Sequence, residues 1–369
     1  MNNSRIKSID LIKGIAMIMV ILVHYQQSFG ICKWFHYFQM GCPMFFVASG
    51  FGIMSLINRK FDGEINTKNV KEFYLSRFKA LAPGWYIAIV IVFLANTIAV
   101  LTFGSTLNFG TNRSPLSIIC NLLFLQGLLP FCNNNVMPGG WYIGTTVILY
   151  ALTPLILAAL KKTKNRIVFF VSSSFLGMLI WLVFALTING WFEGGFGYFF
   201  FTVHYPEYLL GILLFCFLSE KKLKEKQIKL FLPLGIISFA IAYVLFYAPI
   251  SFAGYPSAWM TALGTFFVLY FLIFRETTEK SCSWFEKVLI GFGRNSYCIY
   301  LLHGFFAWTF IQILGKVFNK LGLDIHTYFW LFALIPVVLV LSYFSGMIFS
   351  KIIKWVMSIL TGKKKESLV

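Results

Sequence analysis

The apolar run from Arg5 to His24, RIKSIDLIKGIAMIMVILVH, constrains this chain most, because two ionisable residues lie inside it. Lys13 and His24 are eleven residues apart. On a helix this spacing gives three turns with only about 20° left over, so both residues share one stripe, roughly 16 Å apart along the axis. A cation and an imidazole are costly to keep in lipid, and both are therefore candidates for function.

The composition extends this conclusion to the whole chain. Of its 369 residues, 59% are hydrophobic and only 12% are charged, whereas about a quarter of the residues in a soluble domain are charged. A net charge of +18 would suggest nucleic-acid binding in a soluble protein. Here the excess lies in short loops, as membrane topology requires, so we expect membrane lipids around the chain and no nucleic-acid partner.

Ten apolar runs are each long enough to span a bilayer as a helix, and they predict an all-α, polytopic membrane bundle. With the N-terminus in the cytoplasm, 25 of the 31 Lys and Arg residues fall in inner segments and four in outer loops, which predicts that both termini are inside. Residues 1–350 then form one transmembrane domain, followed by a basic cytoplasmic tail at 351–369. The predicted spans are 9–29, 37–57, 81–104, 141–160, 167–188, 198–219, 230–249, 257–274, 295–314 and 327–349.

The segment 116–131 is apolar but too short to be an eleventh span. Counting it as one would place the basic cluster 161–166 outside, against the charge bias. We therefore expect a re-entrant or interfacial segment on the outer side. Its Asn121 and Gln126 would then need partners from protein or water.

Cysteine and histidine usage predicts no metal site. The seven Cys residues form no CxxC motif, and the five His residues form no cluster with ligand spacing.

Five segments carry a resemblance to a known family. They are SIDLIKGIAMIMVILVH at the start, CPMFFVASGF at 42–51, WYIGTTVILYALTP at 141–154, HYPEYLLGILLF at 204–215 and GRNSYCIYLLH at 293–303. In this order they resemble the acyltransferase-3 family of membrane acyltransferases. Two departures stand out: many members have a Glu pair where this chain has Thr146 and Val147, and two Arg residues before the third span where it has SRFKALAP.

The resemblance implies an activity that the composition does not show. Members of the family move acyl groups, commonly acetyl, from cytoplasmic acyl-CoA to sugar hydroxyls of envelope polysaccharides, glycolipids or peptidoglycan. It implies acetyl-CoA as donor without a metal, and an envelope glycan or lipid-linked saccharide as acceptor. It also implies a location in the plasma membrane of a bacterium.

Within this chemistry the two buried imidazoles have catalytic interpretations. Imidazole suits the removal of a hydroxyl proton at neutral pH, so His24 is the candidate general base. The structural alternative is a neutral ring that a neighbouring helix satisfies. His303, midway along the ninth span, is either a second catalytic element or the partner of a structural hydrogen bond.

Four cations are expected to bind the phosphates of the donor on the inner side: Lys13, Arg77, Lys79 and Arg294. For Lys13 the alternative is snorkelling to the lipid headgroups. Arg294 precedes the ninth span, where a helix N-terminus favours phosphate.

Three further residues are expected to bind the acceptor. Glu207 and His204 could hydrogen-bond sugar hydroxyls, although Glu207 could instead be an acid near a helix N-terminus. Trp141 could stack on a sugar ring or anchor the chain at the membrane interface.

A second function from another class remains open on the sequence. Buried cations could line the path of a transporter or flippase for a glycan or lipid-linked intermediate. An internal repeat would favour that function, and none is detectable.

Overall fold

The protein is a bundle of membrane-spanning helices. The computed structural model describes residues 5–103, 114–129, 132–188, 196–220, 223–248, 254–278 and 281–361. In these ranges there is no strand, and ten helical stretches are long and apolar enough to span a membrane. Each coincides with one of the ten predicted runs, which confirms the predicted fold class.

The described part of the chain contains sixteen α-helices. Their order and bounds are α1 Lys7–Phe29, α2 Gly41–Lys60, α3 Val70–Phe103, α4 Pro115–Leu122, α5 Gly140–Lys162, α6 Arg166–Thr187, α7 Phe196–Phe199, α8 Phe201–Glu220, α9 Glu225–Lys229, α10 Phe231–Tyr247, α11 Gly254–Thr278, α12 Trp284–Arg294, α13 Ser296–Gly304, α14 Ile311–Lys320, α15 Tyr328–Ala333 and α16 Ile335–Thr361.

Helix α1 lies in the middle of the bundle, against α2, α11, α12 and α13. Its first turn has no side-chain cap of its own. Instead, Glu276 at the end of α11 accepts hydrogen bonds from the backbone N–H groups of Lys7 and Ser8, at 2.9 and 2.8 Å. These groups are unsatisfied at any helix start, and a carboxylate also suits the positive end of the helix dipole. The contact therefore ties the inner end of α1 to α11.

Glycines allow the tightest contact between spans, where α2 crosses α8. A Cβ at Gly50 would overlap the carbonyl oxygen of Tyr208, and one at Gly211 would overlap that of Val47. Small residues let membrane helices approach until their backbones touch. The resulting van der Waals packing stabilises the pair, because lipid supplies no hydrophobic driving force for association. Helix α8, which carries His204 and Glu207, is thereby fixed against α2.

Several helices present apolar side chains to the outside of the bundle. Leu176 of α6, Val244 of α10 and Phe344 of α16 are all more than half exposed. These helices expose apolar side chains and pair their backbone N–H and C=O groups internally. A lipid-facing helix requires both features.

Of the segment 116–131, residues 116–129 are described, and they form no spanning helix. In its described part, α4 ends at Leu122 and a short 3₁₀ turn follows at Leu125–Gly127. The indole Nε1–H of Trp85 donates to the carbonyl of Asn121 at 2.9 Å, and Phe124 lies beside Phe78 near the inner end of α3. The described part of the segment is thus packed against α3.

Both buried amides of this segment use their NH₂ groups to bind protein carbonyls, whereas Asn121 Oδ1 and Gln126 Oε1 have no hydrogen-bond partner among the described residues. The side-chain NH₂ of Asn121 donates to the carbonyls of Ser117 and Cys132, and that of Gln126 donates to the carbonyl of Gly140. These bonds hold the segment against the outer end of α5.

The final span continues into the predicted tail. Helix α16 runs to Thr361, so residues 351–361 are helical. The remaining tail residues, 362–369, lie outside the described residues.

Candidate active site

A cavity of about 630 Å³ lies at the predicted outer ends of α1, α5 and α13, and we name it the outer cavity. His24 lines it. Its other polar lining is neutral: four amides and four aromatic side chains with polar groups accompany His24, and no carboxylate, ammonium or guanidinium is among the described lining residues. The lining consists of Val20, Val23, His24, Gln27, Ser28, Gln39, Cys42, Asn134, Pro138, Gly139, Trp141, Tyr198, Phe199, Tyr300, Trp308 and Gln312.

The tautomer of His24 is set by its neighbour on the same helix. Nδ1 of His24 lies 3.0 Å from Oε1 of Gln27, and an amide oxygen can only accept. With the amide in this orientation, Nδ1 carries the proton and Nε2 is free to act as a base. The ring also contacts His303 and Trp308, with centroid separations of 5.1 and 4.6 Å.

His303 combines a structural hydrogen bond on one ring nitrogen with an unpartnered second nitrogen. Its Nδ1–H donates to the carbonyl oxygen of Tyr300 at 2.5 Å, which is a structural hydrogen bond. Its Nε2 is buried without a hydrogen-bond partner among the described residues. The ring is only 1% exposed and lies against His24, so the free nitrogen belongs to the same polar centre.

Trp308 reaches His24 because the ninth span changes its winding. After Gly304, residues Phe305–Phe310 form a π-helical segment before α14 resumes the regular helix. Such segments shift the side chains that follow them around the helix axis and are frequent at functional sites. Here the shift brings the indole over the imidazole.

A second cavity, of about 240 Å³, lies toward the predicted cytoplasmic side, and we name it the inner cavity. Lys13 and Arg77 both line it. The guanidinium of Arg77 also lies over the ring of Tyr150, 6.0 Å from its centroid. Lys13 and His24 thus open into separate cavities along the single stripe of α1 that their spacing predicts.

The inner cavity does not gather all four predicted cations. Lys79 follows Arg77 by two residues, which is about 200° around the helix, so it is exposed and does not line the cavity. Arg294 lies 3.6 Å from Asp10, which also accepts from Arg5 at 2.7 Å. The predicted clamp of four is therefore reduced to Lys13 and Arg77, with Arg294 in an adjacent ion-pair cluster.

The predicted acceptor residues form a buried group next to the outer cavity. His204 Nδ1 and Glu207 Oε2 are 2.9 Å apart, and both side chains are fully buried. Glu207 lies in the second turn of α8, so this pair, not the helix dipole, is its main interaction. Breaking a buried pair of this kind leaves a costly unpaired group.

Trp141 belongs to the cavity wall. It is buried, stacks on Phe199 at a centroid separation of 4.6 Å, and lies 5.2 Å from His204. The interface-anchor interpretation is therefore wrong for this residue. Of the three predicted acceptor residues, Trp141 alone lines the outer cavity, whereas Glu207 and His204 support the wall behind it.

Several lining residues were not predicted from the sequence. Gln27 could have been found, because it follows His24 by three residues and so lies one turn away on the same face. Trp308 and Tyr300 could not, because the π-helical segment and the meeting of two cavities are tertiary features.

Comparisons with known proteins agree on one family. A family model described as "Acyltransferase domain" matches residues 6–350. A Staphylococcus aureus (strain COL) protein named "Putative O-acetyltransferase" is 24% identical over 323 residues, which cover 81% of this chain and 50% of that protein. Proteins of the same name in strains MSSA476 and N315 are 24% identical over 320 residues, covering 80% of this chain and 49% of theirs.

The chain thus spans about half the length of the curated relatives that it matches. No solved structure matches it.

Proposed function

This chain belongs to the acyltransferase-3 family, and from that premise we propose that it transfers an acetyl group from cytoplasmic acyl-CoA to a hydroxyl of an envelope or exported glycan. The observation that carries the proposal is the position of His24. His24 lines the outer cavity, and Lys13 and Arg77 line the inner cavity on the other side of Tyr300.

The inner cavity supports a phosphate-bearing donor. Lys13 and Arg77 are charged donors in a partly enclosed site, where hydrogen bonds to phosphate are stronger than in water. The diphosphate of acyl-CoA would be held on this side, and its pantetheine arm would carry the thioester toward His24.

The outer cavity supports a neutral sugar acceptor. Gln27, Gln39, Asn134 and Gln312 offer both donors and acceptors to hydroxyl groups. Trp141 and Trp308 offer apolar ring faces for the C–H face of a sugar. A lipid-linked saccharide would satisfy the same lining with its sugar portion.

The proposed reaction is a single transfer. His24 Nε2 takes the proton of the acceptor hydroxyl while its oxygen attacks the thioester carbonyl. The new C–O bond forms, the C–S bond breaks, and the electron pair leaves on the CoA sulfur. The imidazolium then returns its proton, so that free CoA thiol and an ester are the products. His303 lies beside the ring that becomes charged and supplies a second unpaired nitrogen.

The test compares the masses of envelope glycans from cells with and without the protein. We expect a shift by the mass of one acetyl group per modified sugar, present with the wild type and absent without it. A transporter or flippase would change the amount of glycan outside the cell and leave the mass of its repeat unchanged. That second result would contradict the proposal.

A further inference from the structure

Tyr300 stands where the two cavities meet. Among the described residues it is the only one that lines both, and it is 4% exposed. Lys13 and Arg77 lie on one side of it and His24 on the other. Anything that joins the two cavities must therefore pass its ring.

Tyr300 is held through its hydroxyl group and through its backbone. Its hydroxyl donates to the carbonyl of Gly139 at 2.8 Å, and its backbone carbonyl accepts from His303. A buried tyrosine with these bonds has few alternative rotamers.

Aromatic neighbours extend this barrier. The ring of Tyr142 lies 5.0 Å from that of Tyr300, and the ring of Phe45 lies 5.8 Å from that of Tyr142. Tyr142 and Phe45 both line the inner cavity. We call Tyr300, Tyr142 and Phe45 the aromatic partition.

We propose that Tyr300 determines the acyl-chain specificity of the donor, admitting acetyl and rejecting longer acyl groups. The inference rests on the proposed function, because it assumes an acyl-CoA held from the inner cavity. To come within reach of His24 from the inner cavity, the thioester carbonyl must stand where the two cavities meet, so the carbons of the acyl chain lie against the ring of Tyr300. A methyl group adds little volume there, whereas each further methylene must displace a fixed ring.

The expected discrimination follows from close packing. Protein interiors are close-packed, so an additional methylene does not fit without a rearrangement. An apolar pocket typically discriminates about 10- to 200-fold between substrates that differ by one methylene. Replacing the Tyr300 ring with a small apolar side chain would open a space of the kind that longer acyl chains fill.

Tyr150 provides a matched comparison. It lines the inner cavity, as Tyr300 does, and the guanidinium of Arg77 lies over its ring. It does not line the outer cavity. A change at Tyr150 can alter donor affinity as a whole, but it does not touch the partition.

The experiment measures the affinity of the purified full chain for acetyl-CoA and butyryl-CoA by calorimetry, which needs no acceptor. We expect the wild type to prefer acetyl-CoA by about tenfold or more. Tyr300→Val should abolish or reverse that preference. Tyr300→Phe, which keeps the ring, and Tyr150→Val should both retain the wild-type ratio of the two affinities.

A further variant protects the test against misfolding. If Tyr300→Val does not elute as a folded monodisperse protein, Tyr300→Trp is used instead. Its larger ring leaves less space for the acyl chain, so it should increase the preference for acetyl-CoA over propionyl-CoA. An unchanged ratio in the folded Tyr300 variant would overturn the inference while leaving the proposed function intact. A wild type that binds no acyl-CoA would overturn both.

Discussion

At the scale of single residues, the two histidines share one arrangement. Each donates from Nδ1 to an oxygen three residues away on its own helix: His24 to the side chain of Gln27, and His303 to the backbone of Tyr300. The hydrogen bond on one nitrogen fixes the tautomer and leaves the other nitrogen basic. The two imidazoles, whose ring centroids are 5.1 Å apart, thereby offer two Nε2 atoms in one site.

Lys13 should contribute directly to donor binding, since it lines the inner cavity. A hydrogen bond to a charged group is worth about 1.5–3 kcal/mol, so Lys13→Ala should weaken acyl-CoA binding about tenfold or more. Lys79→Ala is the matched control, because it removes the same charge from an exposed position outside the cavity. Equal affinities of the Lys13 variant and the wild type in calorimetry would assign Lys13 to snorkelling.

At the scale of helices, the sequence predicts the features that the membrane itself requires. The spans could be predicted because a bilayer demands long apolar helices, and the stripe of Lys13 and His24 follows from helical geometry alone. The sequence is less informative about which side chains meet. It groups Lys79 with Arg77, although only Arg77 lines the inner cavity, and the pairing of Arg294 with Asp10 depends on how α12 packs on α1.

The crossing of α2 and α8 should tolerate no side chain at its centre. Gly50→Leu should destabilise the protein by at least about 1–3 kcal/mol, the usual cost of overpacking, because even a Cβ there overlaps the backbone at Tyr208. Gly52→Leu is the control on the same helix, since a Cβ at Gly52 has no heavy atom within 4 Å. Thermal unfolding in detergent compares the two, and equal melting temperatures would contradict this packing.

At the scale of the whole molecule, ten spans place both ends of the described bundle on the same side of the membrane. The charge bias predicts that this side is the cytoplasm. The same orientation puts the cavity with Lys13 and Arg77 toward cytoplasmic acyl-CoA and the cavity with His24 toward an exported acceptor. The proposed direction of transfer thus depends on topology as well as on the site.

Labelling of single cysteines tests the orientation. Lys320→Cys should react with a membrane-impermeant thiol reagent in intact cells, whereas Lys164→Cys should react only after the membrane is opened; both positions are exposed. Native Cys132, in the predicted outer loop, should contribute little background, because burial raises the pKa of its thiol to about 12. Labelling of Lys164→Cys from outside would contradict the ten-span topology.

The central claim is that His24 is the base of an acyl transfer, and one substitution tests it most directly. Membrane vesicles that contain the native envelope glycan receive labelled acetyl-CoA, and the rate of label incorporation into glycan is compared for wild type and His24→Ala at equal protein levels. Loss of a general base typically costs about 10²- to 10⁴-fold in rate, so the variant should be nearly inactive while still binding acetyl-CoA. A variant that keeps more than about a tenth of the wild-type rate would contradict the mechanism proposed for this site.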